Sequence, residues 1–423
     1  MSTMLDQNLE HLIAAAIESG EYFRDPYPLF AKLRTEAPIY YSTTIGGWLL
    51  TRHADVDAVL RDADTFSSKG RVIYLLNQLP AETSSRVPLL HHHFATGLAH
   101  SDAPEHRRLR GLLAQAFTPK MVENLRERTA LLARDLISNC GDEFDLIEDL
   151  LTPLPANVVG SLLGSSPADI PDLIRWAHAI NGLYERGGHI AENKALHAEA
   201  MLTEMRSFVL RLVAERRAQA QAGKLDKDQD VLAGLVAAES EAGALSEDEL
   251  LSTAVTLFVA GHETTTHLLG NGFAALLSKP ELWQQVRSDL SLVNPIIEEM
   301  GRFDGSVPRS WRIAKVDTII AGVPISKGDL VLPILAAANR DPEVFTDPEN
   351  FNPWQENKKH LAFGKGVHVC LGAPLARLEG QEVLKALIEL RPGLMLKTPV
   401  SQLEWRKDMA LRGLIQLPVK TGL

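Results

Sequence analysis

Residues 247 to 278, EDELLSTAVTLFVAGHETTTHLLGNGFAALLS, limit the fold more than any other stretch. Ser246 and Glu249 form an S-x-x-E capping box ahead of the run, and Lys279-Pro280 stops it. It therefore reads as one helix of roughly 30 residues, about 45 Å long. Its middle is apolar on every side, and such a helix has to run through a core rather than along a surface. The remaining chain must wrap it. Within that apolar middle, AGHETTTH carries a carboxylate, three hydroxyls and a glycine. A buried polar group left unpaired costs on the order of 1–3 kcal/mol. Either these groups face a cavity, a water chain or a ligand, or the threonines bond back to the helix carbonyl four residues earlier. Both readings stand at this point.

Most of the remaining sequence is helical as well. DVDAVLRDA, HRRLRGLLAQAF, NLRERTALLARDLISNC, ALHAEAMLTEMRSFVLRLVAERR and APLARLEGQEVLKALIEL all repeat apolar residues at helical spacing. Two places differ. PIYYSTTIGGWLLTR alternates and turns at Gly46-Gly47, predicting a β-hairpin, and residues 317 to 334, with apolar runs broken by Gly and Pro, predict further strands. The expected class is mainly α with a small β portion. At 423 residues the chain is long enough for more than one domain. No Gly/Ser/Pro linker, repeat or low-complexity block marks a boundary, and AQAQAGKLDKDQD at 218 to 230 reads as a polar connection between helices. One domain over residues 1–423 is expected.

Charge and targeting signals exclude several roles. Lys and Arg number 43 against 54 Asp and Glu, a net charge of −11 that repels a polyanion, so nucleic acid is not an expected partner. The start, MSTMLDQNLEHLIAAAIESG, lacks the basic region and long apolar core of a signal peptide. The longest apolar run, LVLPILAAA, is far too short to span a bilayer, so a cytoplasmic protein without a membrane anchor is expected.

The chain has two cysteines, Cys140 and Cys370, too few for an iron–sulfur cluster or a Cys-rich zinc site. In a reducing compartment a disulfide between them is not expected. Cys140, after a helical segment, reads as a small buried hydrophobe. His262 and His267 are five residues apart, about 140° around a helix, and cannot chelate one zinc ion as a pair four apart does. The cluster HHHFATGLAH at 91 to 100 has no carboxylate at ligand spacing and reads as a solvated or pocket-lining loop.

Cys370 is different. It lies in LAFGKGVHVCLGAPLAR, where Gly364 and Gly366 permit turns and the close approach of a flat ligand. Gly372 and Pro374 then open a helix whose free N–H groups favour an anion, so a stabilised thiolate is expected. Such a sulfur serves as a nucleophile or as a ligand to a metal centre.

FGKGVHVCLG resembles, at every fixed position, the haem-binding loop F-G-x-G-x-H-x-C-x-G of bacterial cytochromes P450. AGHETT is similar to that family's distal-helix motif, Glu299 and Arg302 in EEMGR match its E-x-x-R, and ANRDPEVFTDPENFNP and HSDAPEHRRLRGLLAQAFTP resemble its haem-flanking segments. The order matches and the resemblance covers nearly the whole chain. It implies a P450 fold with haem b (iron protoporphyrin IX) between the long distal helix and the helix after the cysteine loop. Cys370 is then the axial ligand, shielded by Phe363 in the loop with Gly364, and Ala376 lies near the macrocycle. His106, Arg110, Arg312 and His368 bind the propionates, as two buried carboxylates require. Glu299, Arg302 and Arg340 resemble a structural ion-pair triad.

The same resemblance implies an O2-dependent monooxygenase acting on a hydrophobic small molecule. Thr264 and Glu263 deliver protons to dioxygen, and Ala260-Gly261 leave room where the helix bends. No flavin or ferredoxin module is visible, so electrons come from a separate ferredoxin with an NAD(P)H-dependent reductase. Arg107, Arg108, Lys365 and Arg377 are the expected docking patch. By family position the substrate pocket takes Thr256, Val259, Ala260, Val307, Arg309, Leu411 and the loop at 71 to 90. Arg309, where an uncharged residue is usual, is a candidate partner for a substrate carboxylate. Gly301 and Trp311 also depart from the family pattern. A haem sensor without turnover and a cysteine hydrolase are the alternatives. The Glu263–Thr264 pair argues against the first, and a haem spectrum decides the second.

Overall fold

The structure is a computed structural model that describes residues 4–184, 189–227, 229–237, 245–355 and 359–422. The long helix runs unbroken over Glu247–Leu277 and is buried along almost its entire length. Both halves of its capping box form: the Glu249 N–H donates to Ser246 Oγ (3.2 Å), and the Ser246 N–H donates to the Glu249 carboxylate (2.9 Å). Helices Pro153–Leu162, Ile170–Asn181, Glu192–Gln221 and Val293–Asp304 pack around it, and the largest apolar cluster of the molecule forms at these contacts. Wrapping is the only way to hide a helix with no polar face.

Strands contribute a smaller layer. The hairpin pairs Ile39–Ser42 with Gly47–Leu50 in antiparallel register, Ser42 opposite Gly47, as the alternation predicts. Gly47–Leu50 runs parallel to Leu330–Pro333, and Arg312–Ala314 and Phe66–Ser67 complete a five-stranded sheet. A second apolar cluster joins this sheet to the N-terminal helices through Leu9, Ile13, Tyr22 and Phe30. Thr318–Ile320 with Val323–Ile325, and Glu143–Asp145 with Pro418–Thr421 and Leu394–Leu396, form two small sheets. The architecture is mainly α with a small β portion, and no described helix is long and apolar enough to cross a membrane.

Several local expectations are corrected. The stretch read as a pocket loop contains helices Arg71–Leu76, Ala81–Ser85 and Pro88–Thr96, the last carrying His91, His92 and His93. Short helices with irregular breaks give too little periodicity to be seen in sequence. Among the described residues no group of three or more His, Cys, Asp or Glu is placed to hold a metal ion. Cys140 is half-buried rather than buried. It follows the last residue of helix Arg126–Asn139, and its thiol donates to the Leu136 carbonyl (3.3 Å).

The E-x-x-R pair is a buried clamp. Arg302 donates to both Glu299 oxygens (2.7 and 2.8 Å) and also to the carbonyls of Asn339, Pro348 and Asn350. Arg340, expected as a third member of this pair, turns instead to Glu349 (2.8 Å) and the Phe303 carbonyl, with its guanidinium 3.3 Å from the Tyr27 ring centre. Aromatic faces and an extra carboxylate on that side offer a better seat than a Glu299 already bound bidentately.

Candidate active site

The Cys370 loop is shaped by its own backbone. The Gly364 N–H donates to the Leu361 carbonyl (2.8 Å), the Val369 N–H to Gly366 (3.1 Å) and the Cys370 N–H to Phe363 (2.9 Å). Gly366 takes φ +70°, and a Cβ there would sit 2.5 Å from the Leu60 carbonyl oxygen, so only glycine fits. Helix Ala373–Leu390 then starts, and the N–H groups of Gly372 and Ala373 point at the Cys370 sulfur. Burial raises the thiol's pKa; those two N–H groups, Arg110 and Arg377 oppose it, and the net shift is upward. The helix end favours the thiolate, as expected, burial opposes it, and a metal cation on the sulfur would favour ionisation further.

Cys370 is surrounded by protein and still has accessible surface, the combination found on the wall of an internal cavity. The facing wall is the long helix. Ala260 is exposed between the buried Val259 and His262, and Gly261 and Thr264 are half-buried, so one narrow stripe of an otherwise buried helix opens inward. Gly261, Gly372, Leu371 and Leu375 line a common pocket. Ala376, the residue after Leu375, is buried. The helix stays continuous through Ala260-Gly261. Gly261 admits Val159, which a Cβ would meet at 3.0 Å.

On that stripe the Thr264 hydroxyl donates to the Ala260 carbonyl (2.5 Å), leaving its oxygen as an acceptor. Thr266 does the same with Leu151 and His262. Glu263 faces the other way, into helix Ile170–Asn181: one oxygen meets His178 Nδ1 (2.8 Å) and the other accepts from Asn181 Nδ2 (2.7 Å). Burial would raise this carboxyl, but His178, through its hydrogen bond and charge, outweighs it and holds the group at about 2. His262 and His267 are held by burial at about 4, so at neutral pH they are uncharged and His178 carries the electrostatic effect. Neither His178 nor Asn181 belongs to a sequence motif.

At the opposite edge, donors gather. His106 and Arg110 share helix Glu105–Ala116; the His106 ring lies 4.1 Å from that of His368, and Arg110 donates to the Val369 carbonyl (2.7 Å). Arg312 is buried and donates to Ser310 Oγ and the Trp311 carbonyl. Burial lowers His368 to about 3 and Arg312 to about 10, each against the pull of Asp102. That carboxylate is itself taken by Ser67 Oγ and the Ser68 N–H. The His106 Nε2 atom is buried with no hydrogen-bond partner among the described residues. Two arginines, two histidines and an orphaned ring nitrogen beside a cysteine-lined cavity fit a haem with two propionates.

On the substrate side, Thr256 is half-buried, Val259 and Leu411 are buried, and Val307 packs against the cluster under the sheet. Trp311 stacks on His100 (6.0 Å, 15° between planes), which explains a departure from the family pattern. Gly301 is explained by His360, whose Cε1 lies 3.3 Å from where a Cβ would be. The expected basic patch loses a member: Arg108 is bound to Glu249 at the start of the long helix. Arg377 pairs with Glu298 and covers the Phe363 ring (4.4 Å), while Arg107 is exposed and Lys365 half-exposed.

A cysteine at the head of a helix, facing an opened stripe of a buried helix across a cavity edged with cations, defines a haem-thiolate enzyme. The cytochrome P450 family model matches residues 72–390, and the chain belongs to that family, whose cofactor is a haem held by a cysteine thiolate. It is a cytochrome P450 monooxygenase, similar to cytochrome P450 monooxygenase PikC of Streptomyces venezuelae, with 35% identity over 95% of this chain and 92% of that one. It is likewise similar to 6-deoxyerythronolide B hydroxylase of Saccharopolyspora erythraea, with 33% identity over 96% of this chain and 98% of that protein. The solved structure of cytochrome P450 CYP109Q5 from Chondromyces apiculatus superimposes with a TM-score of 0.83 at 31% identity, covering 96% and 98% of the two chains.

Proposed function

We propose that this single-domain protein, cytoplasmic and carrying haem b on Cys370, hydroxylates a hydrophobic small molecule with O2. The observation that carries the reading is the exposure of Ala260, flanked by the half-buried Gly261 and Thr264, in the middle of a long helix that is otherwise largely buried, with Gly261 sharing a pocket with Gly372 of the Cys370 loop. Relatives named as a polyketide biosynthesis cytochrome P450, 6-deoxyerythronolide B hydroxylase and erythromycin C-12 hydroxylase favour a polyketide-like substrate class. A thiolate-ligated haem supplies O–O bond cleavage when bound; the chain positions substrate and moves protons.

His106, Arg110, Arg312 and His368 would hold the propionates, and Phe363 and Ala376 would pack beside the haem near Cys370. Proton entry starts at His178, whose side chain is 56% exposed while that of Glu263 is 6% exposed, so a proton from solvent reaches the carboxylate through the imidazole. Glu263, once protonated, would turn from His178 and Asn181 and donate a hydrogen bond to Thr264 Oγ1; the hydroxyl relays by releasing its own proton from the Ala260 carbonyl into the cavity as it takes the one from Glu263. Electrons come from a ferredoxin docking over Arg107, Lys365 and the exposed Val367; reduction that is unchanged by salt and by Lys365→Glu rejects that surface. The function is tested with the purified protein. A strongly red-shifted carbon monoxide complex of the reduced protein, lost in Cys370→Ser, together with turnover on ferredoxin and reductase, is the expected result. A colourless protein, or a spectrum indifferent to that substitution, rejects the reading.

A further inference from the structure

Arg309 lies between helix Val293–Asp304 and strand Arg312–Ala314, and its backbone is pinned on both sides: the Ala336 N–H donates to the Pro308 carbonyl (3.0 Å) and the Ser310 N–H to Pro333 (2.9 Å). Its side chain therefore leaves a fixed frame. The Arg309 Nη1 atom is shut away from water with no hydrogen-bond acceptor among the described residues. Arg309 as a whole is half-buried, and three buried arginines elsewhere in the molecule meet carboxylates: Arg302 meets Glu299, Arg412 meets Asp304, and Arg216 meets Asp230. Buried charge is tolerated when it is paired in this way.

A second guanidinium shares the space. Arg71, the first residue of helix Arg71–Leu76, is held down to about 10 by burial and then by the charge of Arg309, with the Tyr74 phenol opposing. Two cations drawn together from segments more than two hundred residues apart, in a place of low dielectric, are stabilised by one anion placed between them. Beside them, the Trp311–His100 stack is apolar in character, because burial keeps His100 neutral down to about pH 4.

We propose that the substrate of this enzyme is an organic acid, an apolar body ending in a carboxylate that Arg309 binds and Arg71 supports. The proposal rests on the monooxygenase reading and deepens it by naming the substrate class. The competing source of the same chemistry is a haem propionate.

The test uses full-length holoprotein with n-dodecanoate, 4-phenylbutyrate and 1-naphthylacetate, each against its methyl ester, followed by the haem spin-state shift and, independently of the haem, by equilibrium dialysis. At least one acid is expected to bind about tenfold or more tighter than its ester, as a charge-assisted bond allows. Arg309→Gln removes that advantage with the ester's Kd unchanged, Arg309→Lys keeps part of it, and Arg71→Gln weakens the acid less. No acid preferred over its ester overturns the proposal. So does an Arg309→Gln protein that loses acid and ester affinity equally together with haem retention, which assigns the residue to a propionate. A protein without the thiolate carbon monoxide spectrum fails the monooxygenase reading itself, and that result is visible before any acid is added.

Discussion

The Cys370 loop and the Arg309 segment border the same catalytic region, yet they are built in opposite ways. The backbone–backbone hydrogen bonds that shape the loop close within eight residues: Gly364 to Leu361, Val369 to Gly366, Cys370 to Phe363. The Arg309 segment is held by partners far along the chain, Pro333 and Ala336 on the backbone and His100 through a ring stack. Short-range bonds keep a chemical group in place whatever else in the fold is repacked. Long-range contacts change with any of several elements, which is how one scaffold accommodates many substrates.

The comparison is broken most severely at the link between the loop and the remaining fold. Arg302 joins Glu299 to three carbonyls, and the Asn339 side chain in turn accepts from the Leu361 N–H at the start of the loop (2.6 Å). Arg302→Ala strands the buried Glu299 carboxylate and is expected to cost about 3–5 kcal/mol in denaturant unfolding, with loss of haem. If haem content and midpoint stay unchanged, the loop is sufficient by itself.

Glu263→Gln comes next. Removing a general acid lowers rate by roughly 100-fold, so product formed per O2 consumed is expected to fall by about that factor. Substrate affinity, read by spin-state titration, should hold, because the carboxylate faces His178 rather than the cavity. An equal loss in affinity places Glu263 in the pocket wall instead.

Acid should act on the long helix before it acts on the loop's hydrogen bonds. His262 and His267 have folded-state values near 4, below the ordinary 6.5, so the unfolded chain takes up protons first as pH falls. Their contribution to stability is whole above pH 6.5 and declines between 6.5 and about 4. Glu263, lowered from 4.5 to about 2, adds a further loss only below 4.5. A thermal midpoint measured from pH 8 to 4 is expected to drop in the upper window, and less so in His267→Asn. A flat profile contradicts the burial of neutral imidazoles.

The smallest effect sharpens the contrast from the other side. Trp311→Ala removes the stack on His100 and is expected to shift substrate affinity by about tenfold, equivalent to roughly 1.4 kcal/mol, while the reduced carbon monoxide spectrum stays where it was.

Much of this enzyme is legible in its sequence because the relevant forces act over short distances along the chain. The capping box, the apolar girth of the 247–277 helix, the hairpin register and the glycine-framed cysteine loop each follow from residues within a few positions of one another. Partnerships across the fold were not legible. Arg340 turns to Glu349, Arg108 to Glu249, and Glu263 takes His178 and Asn181, because a charged side chain pairs with whichever opposite group the packing brings within reach. Local dihedral and hydrogen-bonding preferences are properties of short peptides. The environment of a buried charge exists only once distant segments have excluded water around it, and this is why the cysteine loop is readable in one dimension while the charge partners of Glu263, Arg108 and Arg340 are not.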